Sequence, residues 1–460
     1  NKLFILLSLV LLAVADVYVP IPTENQIRWH KREIVAFYHF GVNTYTGAEW
    51  GTGGEDPNIF QPNKLNTTQW IEATKKIGAT EHILVTKHHD GFFLFPNQFT
   101  NHTVASSSWR QGKGDVVKEF VKSCRELGVM PSFYLSPWDR NFYNMTWKPE
   151  YNEFYKNTLQ VLLTNYGPFY SMWWDGANAQ PGMTHYYEWK QWYDLIKKIQ
   201  PQVLGGGCGG DSKGIYDCGP DISWGWTESG LGDETCWNSH AASVEFPEDH
   251  DVYAPLYLDV SIRPGWFYHA NEQPKTLSQL VNIYFKSVGR NYQLQLNVPP
   301  TKDGLLDDRD VKVLEEFGNW IDNSFKVDEA HKAASITASS TLVGTLPENI
   351  VNDDEYIYWS PVAEDKDKYI QLDFETEVSF NAIMAQEFIR SGQRISEWYV
   401  EIVDGDHYNE LAKGTTMGYK RILPLEKTVS TKSIRVHIVS TIDNKEPSVS
   451  KIALYNTISV

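Results

Sequence analysis

Two carboxylates set among tryptophans are the residues of this 460-residue chain best suited to chemistry. Asp175 follows Met172-Trp173-Trp174, and Glu228 follows Trp224-Gly225-Trp226-Thr227. Individually, an aspartate before a glycine often forms a turn, and exposed loop glutamates are common. As a pair, one carboxylate can attack an anomeric carbon while the other, kept protonated by its surroundings, protonates the leaving oxygen. The pair therefore predicts cleavage of a glycosidic bond.

Other polar and aromatic side chains lie at or just beyond the ends of the strands predicted for this region. They are His39, Glu49, Trp50, His88, His89, Asp90, Tyr134, Trp138 and Asp139. In a parallel barrel the carboxyl ends of the strands converge on one mouth. We therefore expect these residues to surround the two carboxylates, with histidines bonding hydroxyl groups and tryptophans stacking on the apolar face of a sugar.

The histidine pair allows a competing interpretation, a zinc or iron site. Adjacent residues of a strand point to opposite faces, so His88 and His89 could bind one ion only if the strand ends between them. The sequence has neither a cysteine cluster nor a helical His-Glu-x-x-His spacing. Hydrogen-bonding histidines are therefore favoured, and we expect no metal and no cofactor.

Eight short β-branched and aromatic runs alternate with helical patterns and predict an α/β fold, a (β/α)8-like barrel over residues 16–330. The predicted strands are 35–41, 82–87, 130–136, 170–175, 203–207, 222–226, 257–262 and 292–298. Helices are predicted after Asp115, with Gly128 as the stop, and over 151–164, 184–200 and 307–321. Residues 211–255 lack a helical period, so the barrel should be irregular there.

The pattern changes after a polar linker at 328–334. Alternating runs at 369–374, 398–403 and 433–439, separated by turn residues, predict a C-terminal all-β sandwich over residues 331–460.

Charge limits the partners of this chain. The formal net charge is −17, from 41 Lys+Arg against 58 Asp+Glu, and no basic block interrupts the acidity. Nucleic acid and anionic membranes are therefore disfavoured as partners. Oligomeric state is left open.

The N-terminus resembles a secretory leader over residues 1–15, with a short apolar run before Ala13-Val14-Ala15. We expect a secreted, extracellular protein, in the apoplast or an equivalent space, with a lysosome-like compartment as the alternative and without a membrane anchor. Three Asn-x-Thr sequons are predicted glycosylation sites, namely Asn66, Asn101 and Asn144. The cysteines allow one or two disulfides, although Cys124 is expected to be a buried thiol; the others are Cys208, Cys218 and Cys236.

Five ordered motifs over residues 30–300 resemble the family 29 glycoside hydrolases, which are retaining α-L-fucosidases. The motifs are Phe40 to Trp50, Lys87-His88-His89-Asp90-Gly91-Phe92, Ser136-Pro137-Trp138-Asp139, Met172 to Ala177 and Ser261 to Tyr268. The branch most similar acts on α-1,3- and α-1,4-linked fucose. The resemblance implies an exo-acting hydrolase whose partner is a fucosylated oligosaccharide or glycoprotein glycan.

By this resemblance, Asp175 corresponds to the nucleophile and Glu228 to the acid/base, with Glu234 as a second candidate for the acid/base. The residues corresponding to the fucose pocket are His39, Glu49, Trp50, His88, His89, Tyr134, Trp173 and Trp266. The C-terminal region resembles a discoidin-like sandwich, for which packing against the barrel is favoured over sugar binding. Two other functions stay open: a fucose-binding, lectin-like protein without turnover, and a retaining glycosidase for another sugar.

Overall fold

The computed structural model describes residues 17–142, 149–175, 187–207, 219–242 and 246–460. The predicted leader, the Asn144 sequon, Cys208 and Cys218 lie outside these residues. Cys124 and Cys236 are both buried free thiols. The prediction for Cys124 is therefore confirmed, and a second disulfide among the four cysteines is excluded.

Eight parallel strands close into a barrel in the first 300 residues. The strands of this region, which include one additional antiparallel pair, are β1 (Ile34–Tyr38), β2 (Glu81–Lys87), β3 (Met130–Leu135), β4 (Ser171–Trp174), β5 (Leu204–Gly207), β6 (Ile222–Trp224), β7 (Ser239–His240), β8 (Val252–Tyr253), β9 (Leu256–Ser261) and β10 (Gln293–Asn297). The barrel order is β1-β10-β9-β6-β5-β4-β3-β2, and β7 pairs only with β8. All eight predicted barrel strands are confirmed, although their ends differ from the prediction by up to three residues, the largest difference being at β1, which ends at Tyr38 rather than at residue 41.

Strand alternation divides the apolar side chains between two cores. On β1, Val35 and Phe37 pack inside the barrel together with Tyr134 and Trp173. Their neighbour Ala36 packs outside, in the core beneath the helices. At the carboxyl ends of the strands, the inward-facing side chains face the mouth of the barrel.

Helices cover the outside of the barrel. They are α1 (Glu24–His30), α2 (Val42–Thr46), α3 (Thr67–Lys75), α4 (Val116–Glu126), α5 (Pro149–Asn165), α6 (Trp189–Ile199), α7 (Leu277–Lys286) and α8 (Asp308–Ser324). Asp115 caps α4 by accepting from the Lys118 N–H, as predicted. Asp307 is the N-cap of α8 rather than its first residue, and that helix continues to Ser324. The predicted start of α6 at residue 184 lies outside the described residues.

The barrel is irregular where the sequence lacks a helical period. In the described stretches 219–242 and 246–255, no helix follows β6, and the β7–β8 pair takes its place. Part of the segment after β6, residues 234–238, contacts the C-terminal domain.

The C-terminal domain is all β, as predicted. Its strands are β11 (Ala333–Ala338), β12 (Tyr369–Glu387), β13 (Ile395–Asp404), β14 (His407–Gly414), β15 (Arg421–Thr441) and β16 (Val449–Tyr455). They are antiparallel in the order β11-β12-β15-β13-β14, with β16 on β12. The expected linker at 328–334 is instead ordered, because Asp328 caps a 3-10 turn and β11 begins at Ala333.

The two domains share a core. Met384 and Ile422 of the sandwich belong to the same buried cluster as barrel residues such as Trp320. The backbone N–H of Ile422 donates to Gly289 O at 2.8 Å, which adds a main-chain contact between the domains. Among the described residues, no helix is both long enough and apolar enough to cross a membrane.

Candidate active site

A cavity of ≈ 280 Å³ opens at the carboxyl ends of the barrel strands. Its lining comprises Phe37, His39, Glu49, Trp50, His88, His89, Tyr134, Trp173, Asp175, Trp224, Trp226, Glu228, Asp259 and Trp266. The structure therefore brings together all ten residues for which the sequence predicts catalysis or substrate binding. Phe37, Trp224, Trp226 and Asp259 were not anticipated.

Asp175 lies directly after β4 and is contacted by Tyr134 of β3 and by His89, which follows β2. The Tyr134 hydroxyl donates to Asp175 Oδ2 at 2.8 Å, and His89 Nε2 lies 3.4 Å from the same oxygen. Burial and the adjacent carboxylate raise the pKa of Tyr134 well above its usual value, so its hydroxyl keeps its proton. A carboxylate that accepts such a bond is stabilised in its ionised form.

Glu228 lies at the rim of the cavity, on the loop that follows β6. Partial desolvation raises the pKa of its carboxyl, and the nearby charges of Asp175 and Glu49 add to the effect. One contact opposes this shift, since the Trp266 indole N–H donates to Glu228 Oε2 at 3.2 Å. The environment of Glu228 thus favours the protonated form that a general acid needs.

Asp259 lines the cavity in addition to Asp175, Glu228 and Glu49, and it is only 4% exposed. It accepts from the Trp224 indole N–H at 2.7 Å, and burial raises its pKa to about 8. The strand period of two places Asp259 on the same inward face of β9 as Tyr257, but this signal identifies the residue only once the inward face is known. A carboxyl in such a place is neutral near pH 7.

Neutral histidines line the opposite wall. Burial lowers the pKa of His39 to about 3 and that of His89 well below its usual value. His39 Nδ1 lies 2.9 Å from Asn297 Oδ1, while the Asn297 amide donates to Ser261 Oγ and to Trp266 O. Since Asn297 Oδ1 can only accept, His39 Nδ1 carries the proton and Nε2 keeps its lone pair.

Glu49 connects two loops of the mouth. Its Oε2 accepts from the Trp266 backbone N–H at 2.9 Å, and its Oε1 lies 3.0 Å from His269 Nε2. Trp50 and Trp226 stand beside this cavity with 52% and 46% of their surfaces exposed. Their rings offer flat apolar area at the entrance.

Three further predicted mouth residues are buried next to the cavity rather than in its lining. Asp139 forms a buried ion pair with Lys87 at 3.1 Å, and Trp138 packs on His89 with 4.7 Å between ring centroids. Burial raises the pKa of Asp90 to about 7. Of these three residues, Trp138 contacts a pocket histidine directly.

The residues most capable of holding a metal ion here are His88, His89 and Asp175, whose ligand atoms all lie within 4.8 Å of one another. Alternation allowed both histidines to face one ion only if β2 ended between them. The strand in fact ends at Lys87, before His88, and both histidines line the cavity. His89 Nδ1 already bonds to Ser136 Oγ at 2.7 Å. The Nδ1 atom of His88, in contrast, is buried without a hydrogen-bond partner among the described residues.

The alternative acid/base residue, Glu234, does not line this cavity. Its carboxylate instead forms ion pairs with Arg290 and Arg421. Of the two glutamates that the sequence left open, only Glu228 stands with Asp175.

A closed (β/α)8 barrel with carboxyl groups and aromatic walls at its mouth is an arrangement suited to glycoside hydrolysis. The family model for alpha-L-fucosidase matches residues 19–324, and that for the F5/8 type C domain matches residues 335–454. The chain belongs to the α-L-fucosidase family of glycoside hydrolases, family 29.

Similar proteins span nearly the whole chain. Alpha-L-fucosidase 1 of Arabidopsis thaliana is 37% identical over 95% of this chain and 88% of its own length. The crystal structure of SpGH29 has a TM-score of 0.86 at 32% identity and covers 96% of this chain and 100% of that one. A Ruminococcus gnavus family 29 fucosidase in complex with fucose has a TM-score of 0.85 at 29% identity and covers 96% and 95%.

The raised pKa of Asp259 predicts how stability depends on pH. Between its ordinary value of 3.8 and about 8, the folded chain keeps a proton that the unfolded chain loses, so folding stability decreases as pH rises. Asp259→Asn keeps an acceptor for Trp224 and has no proton to lose. Between pH 4 and pH 8, the free energy of unfolding of the variant should rise relative to that of wild type by more than about 1.4 kcal/mol, as measured by thermal unfolding. A stability difference that is constant with pH would contradict the assignment.

Proposed function

We propose that this α-L-fucosidase removes terminal fucose from oligosaccharides or glycoproteins by a retaining double displacement. The observation that carries the proposal is the placement of Asp175 and Glu228 in one small cavity with opposite environments. Asp175 receives a hydrogen bond that stabilises its ionised form, whereas desolvation favours the protonated form of Glu228. These are the two states that the first step requires.

In the first step, an Asp175 oxygen attacks C1 of the fucose while Glu228 transfers its proton to the departing glycosidic oxygen. The C1–O bond to the leaving group breaks, and an ester forms between C1 and Asp175. The Tyr134 hydroxyl, bonded to Oδ2 at 2.8 Å, fixes the orientation of the attacking carboxylate.

In the second step, ionised Glu228 takes a proton from water, whose oxygen attacks C1 and displaces Asp175. Two inversions at C1 give overall retention. This mechanism requires a separation of roughly 5 to 5.5 Å between the two carboxyl groups, against about 8 Å for an inverting enzyme.

The cavity favours exo action on one sugar. Its ≈ 280 Å³ is small even for the roughly 300–1,000 Å³ of pockets that enclose drug-sized ligands. The lone pair of His39 Nε2 suits a sugar hydroxyl as donor, and Trp173 supplies an apolar wall. The exposed rings of Trp50 and Trp226 would then contact the sugar that carries the fucose.

The linkage proposal is hydrolysis of α-1,3- and α-1,4-linked fucose. It is supported by the motif resemblance to the branch with that preference and by the open, aromatic entrance. A lectin-like protein without turnover is less consistent with the site, because both carboxyl groups are in the cavity.

A panel of fucosylated oligosaccharides tests this function. We expect free fucose from α-1,3 and α-1,4 linkages but not from α-1,2 or α-1,6 linkages, and proton NMR should show the α-anomer as the first product. Asp175→Ala is the control and should bind fucose without turning over. Release confined to the other linkages would refute the linkage proposal, and the β-anomer as first product would refute retention.

The acid role of Glu228 predicts a dependence on the leaving group. Glu228→Ala should reduce kcat/KM for a natural oligosaccharide by about 10²- to 10⁴-fold. An aryl fucoside with an acidic phenol needs little protonation, so its kcat/KM should decrease far less. The comparison uses initial rates on both substrates, and equal losses would argue against Glu228 as the acid.

The Trp266 hydrogen bond predicts a shift of the pH profile. Because this bond stabilises ionised Glu228, Trp266→Phe should raise the pKa of that carboxyl. Activity that needs the proton is lost as pH rises through this pKa, so the alkaline limb of kcat/KM should move up by about half a pH unit. Trp50→Phe is the matched control, since no hydrogen bond of its indole exists among the described residues. The same shift in both variants would contradict the prediction.

We infer that the chain acts in the secretory pathway or outside the cell. The leader-like residues 1–15 support this, and so does the exposure of Asn66 and Asn101. Expressed in a secretory host, the chain should shift in electrophoretic mobility after N-glycan removal, and the shift should shrink in Asn66→Gln and Asn101→Gln variants. A chain retained in the cytosol without glycans would refute the inference.

A further inference from the structure

The loop that carries Glu228 continues into a segment bound by the C-terminal domain. This anchored segment comprises residues 234–238 and begins six residues after Glu228. Its contacts join residues that are 155 to 187 positions apart in the sequence. They join the part of the barrel nearest the acid/base residue to β15 and to the loops beside it.

Arg421, the first residue of β15, makes the charged contact. Its guanidinium donates to the Glu234 carbonyl oxygen at 2.6 Å and to Glu234 Oε1 at 2.5 Å. Arg421 is only 1% exposed, whereas the Glu234 side chain is 54% exposed. Arg290 of the barrel donates to Gly232 O at 2.6 Å and also pairs with Glu234.

Neutral contacts fix the remainder of the anchored segment. The Gln393 amide donates to Cys236 O at 2.7 Å and accepts from the Asn238 N–H at 3.0 Å. The Thr416 hydroxyl accepts from the Cys236 N–H at 2.9 Å. Cys236, Asn238, Gln393 and Thr416 are all buried, so these backbone groups have no water to replace a lost partner.

The stretch between Glu228 and the anchored segment has little room to absorb a displacement. A Cβ atom at Gly230 would come within 2.9 Å of Val260 and Ile283. At Gly232 it would come within 2.4 Å of the Tyr292 ring. Because Gly230 and Gly232 are packed against the barrel, we expect movement of the anchored segment to displace Glu228 as well.

We propose that Arg421, Gln393 and Thr416 of the C-terminal domain are positioning residues that hold the Glu228 loop for proton transfer. The sandwich then contributes to catalysis in addition to packing against the barrel. This inference rests on the proposed acid/base role of Glu228.

The test compares two inter-domain contacts that differ in whether they reach the loop. Arg421→Met removes a contact to the anchored segment. Lys420→Met is the matched control, because the neighbouring Lys420 pairs with Glu33 of the barrel and does not touch the loop. Thr416→Val removes a single hydroxyl with little change in volume and carries the test if Arg421→Met does not fold.

All variants are made in the full chain and assayed on a natural oligosaccharide and on an activated aryl fucoside. In Arg421→Met and Thr416→Val, kcat/KM for the oligosaccharide should decrease about tenfold, because part of the general-acid contribution is lost. For the aryl fucoside, kcat/KM should decrease by less than about twofold. The alkaline limb should move to lower pH, since a displaced Glu228 is better solvated. Lys420→Met should leave both the substrate ratio and the pH profile unchanged.

Equal decreases of kcat/KM on both substrates would overturn the inference, and so would the same difference between the substrates in Lys420→Met. A general loosening of the contact between the domains would then explain the data. The proposed function fails separately. If Glu228→Ala shows no dependence on the leaving group, the acid assignment is wrong. If Glu228→Ala shows that dependence and both loop-contact variants do not, only the positioning role is wrong.

Discussion

Holding carboxyl groups in a partly dry cavity is the constraint on which this active site depends. A charge removed from water must be paired with donors or give up its ionised form. Here each carboxyl meets a donor from another element: Tyr134 for Asp175, Trp266 for Glu228 and an indole N–H for Asp259. Hydrogen-bond donors lower the pKa of a carboxyl group and desolvation raises it, so the balance of the two effects decides which group is ionised. Similar side chains can therefore take different roles.

The barrel supplies the geometry for that division. Parallel strands place their carboxyl ends at one edge, and the period of two sends Trp173 inwards and brings Asp175 to the mouth above it. Carboxyl groups from distant parts of the chain line one cavity as a result. The pocket residues on loops, by contrast, are held by polar contacts such as that between Glu49 and the Trp266 backbone.

Alternation predicted the strands, because it is a local signal of each strand. The ten site residues were predicted from the resemblance to family motifs together with the positions of several of them at strand ends. Asp259 was missed although its strand was predicted, since a single acidic residue in an apolar run does not reveal which face is open. The order within 328–334 depends on Asp328, which caps a turn and also accepts from the Leu454 N–H of β16. Contacts between residues more than a hundred positions apart leave no periodic trace, so the anchored segment could not be foreseen.

Asn297, the last residue of β10, links the final barrel strand to the first one. Its side chain accepts from both the backbone and the ring of His39 and donates to Ser261 and to the Trp266 carbonyl. The proton arrangement of a pocket histidine therefore exists only once the ring of strands has been joined. A chain truncated before this strand would keep both Asp175 and Glu228, yet it would lack the Asn297 side chain that orients the His39 imidazole.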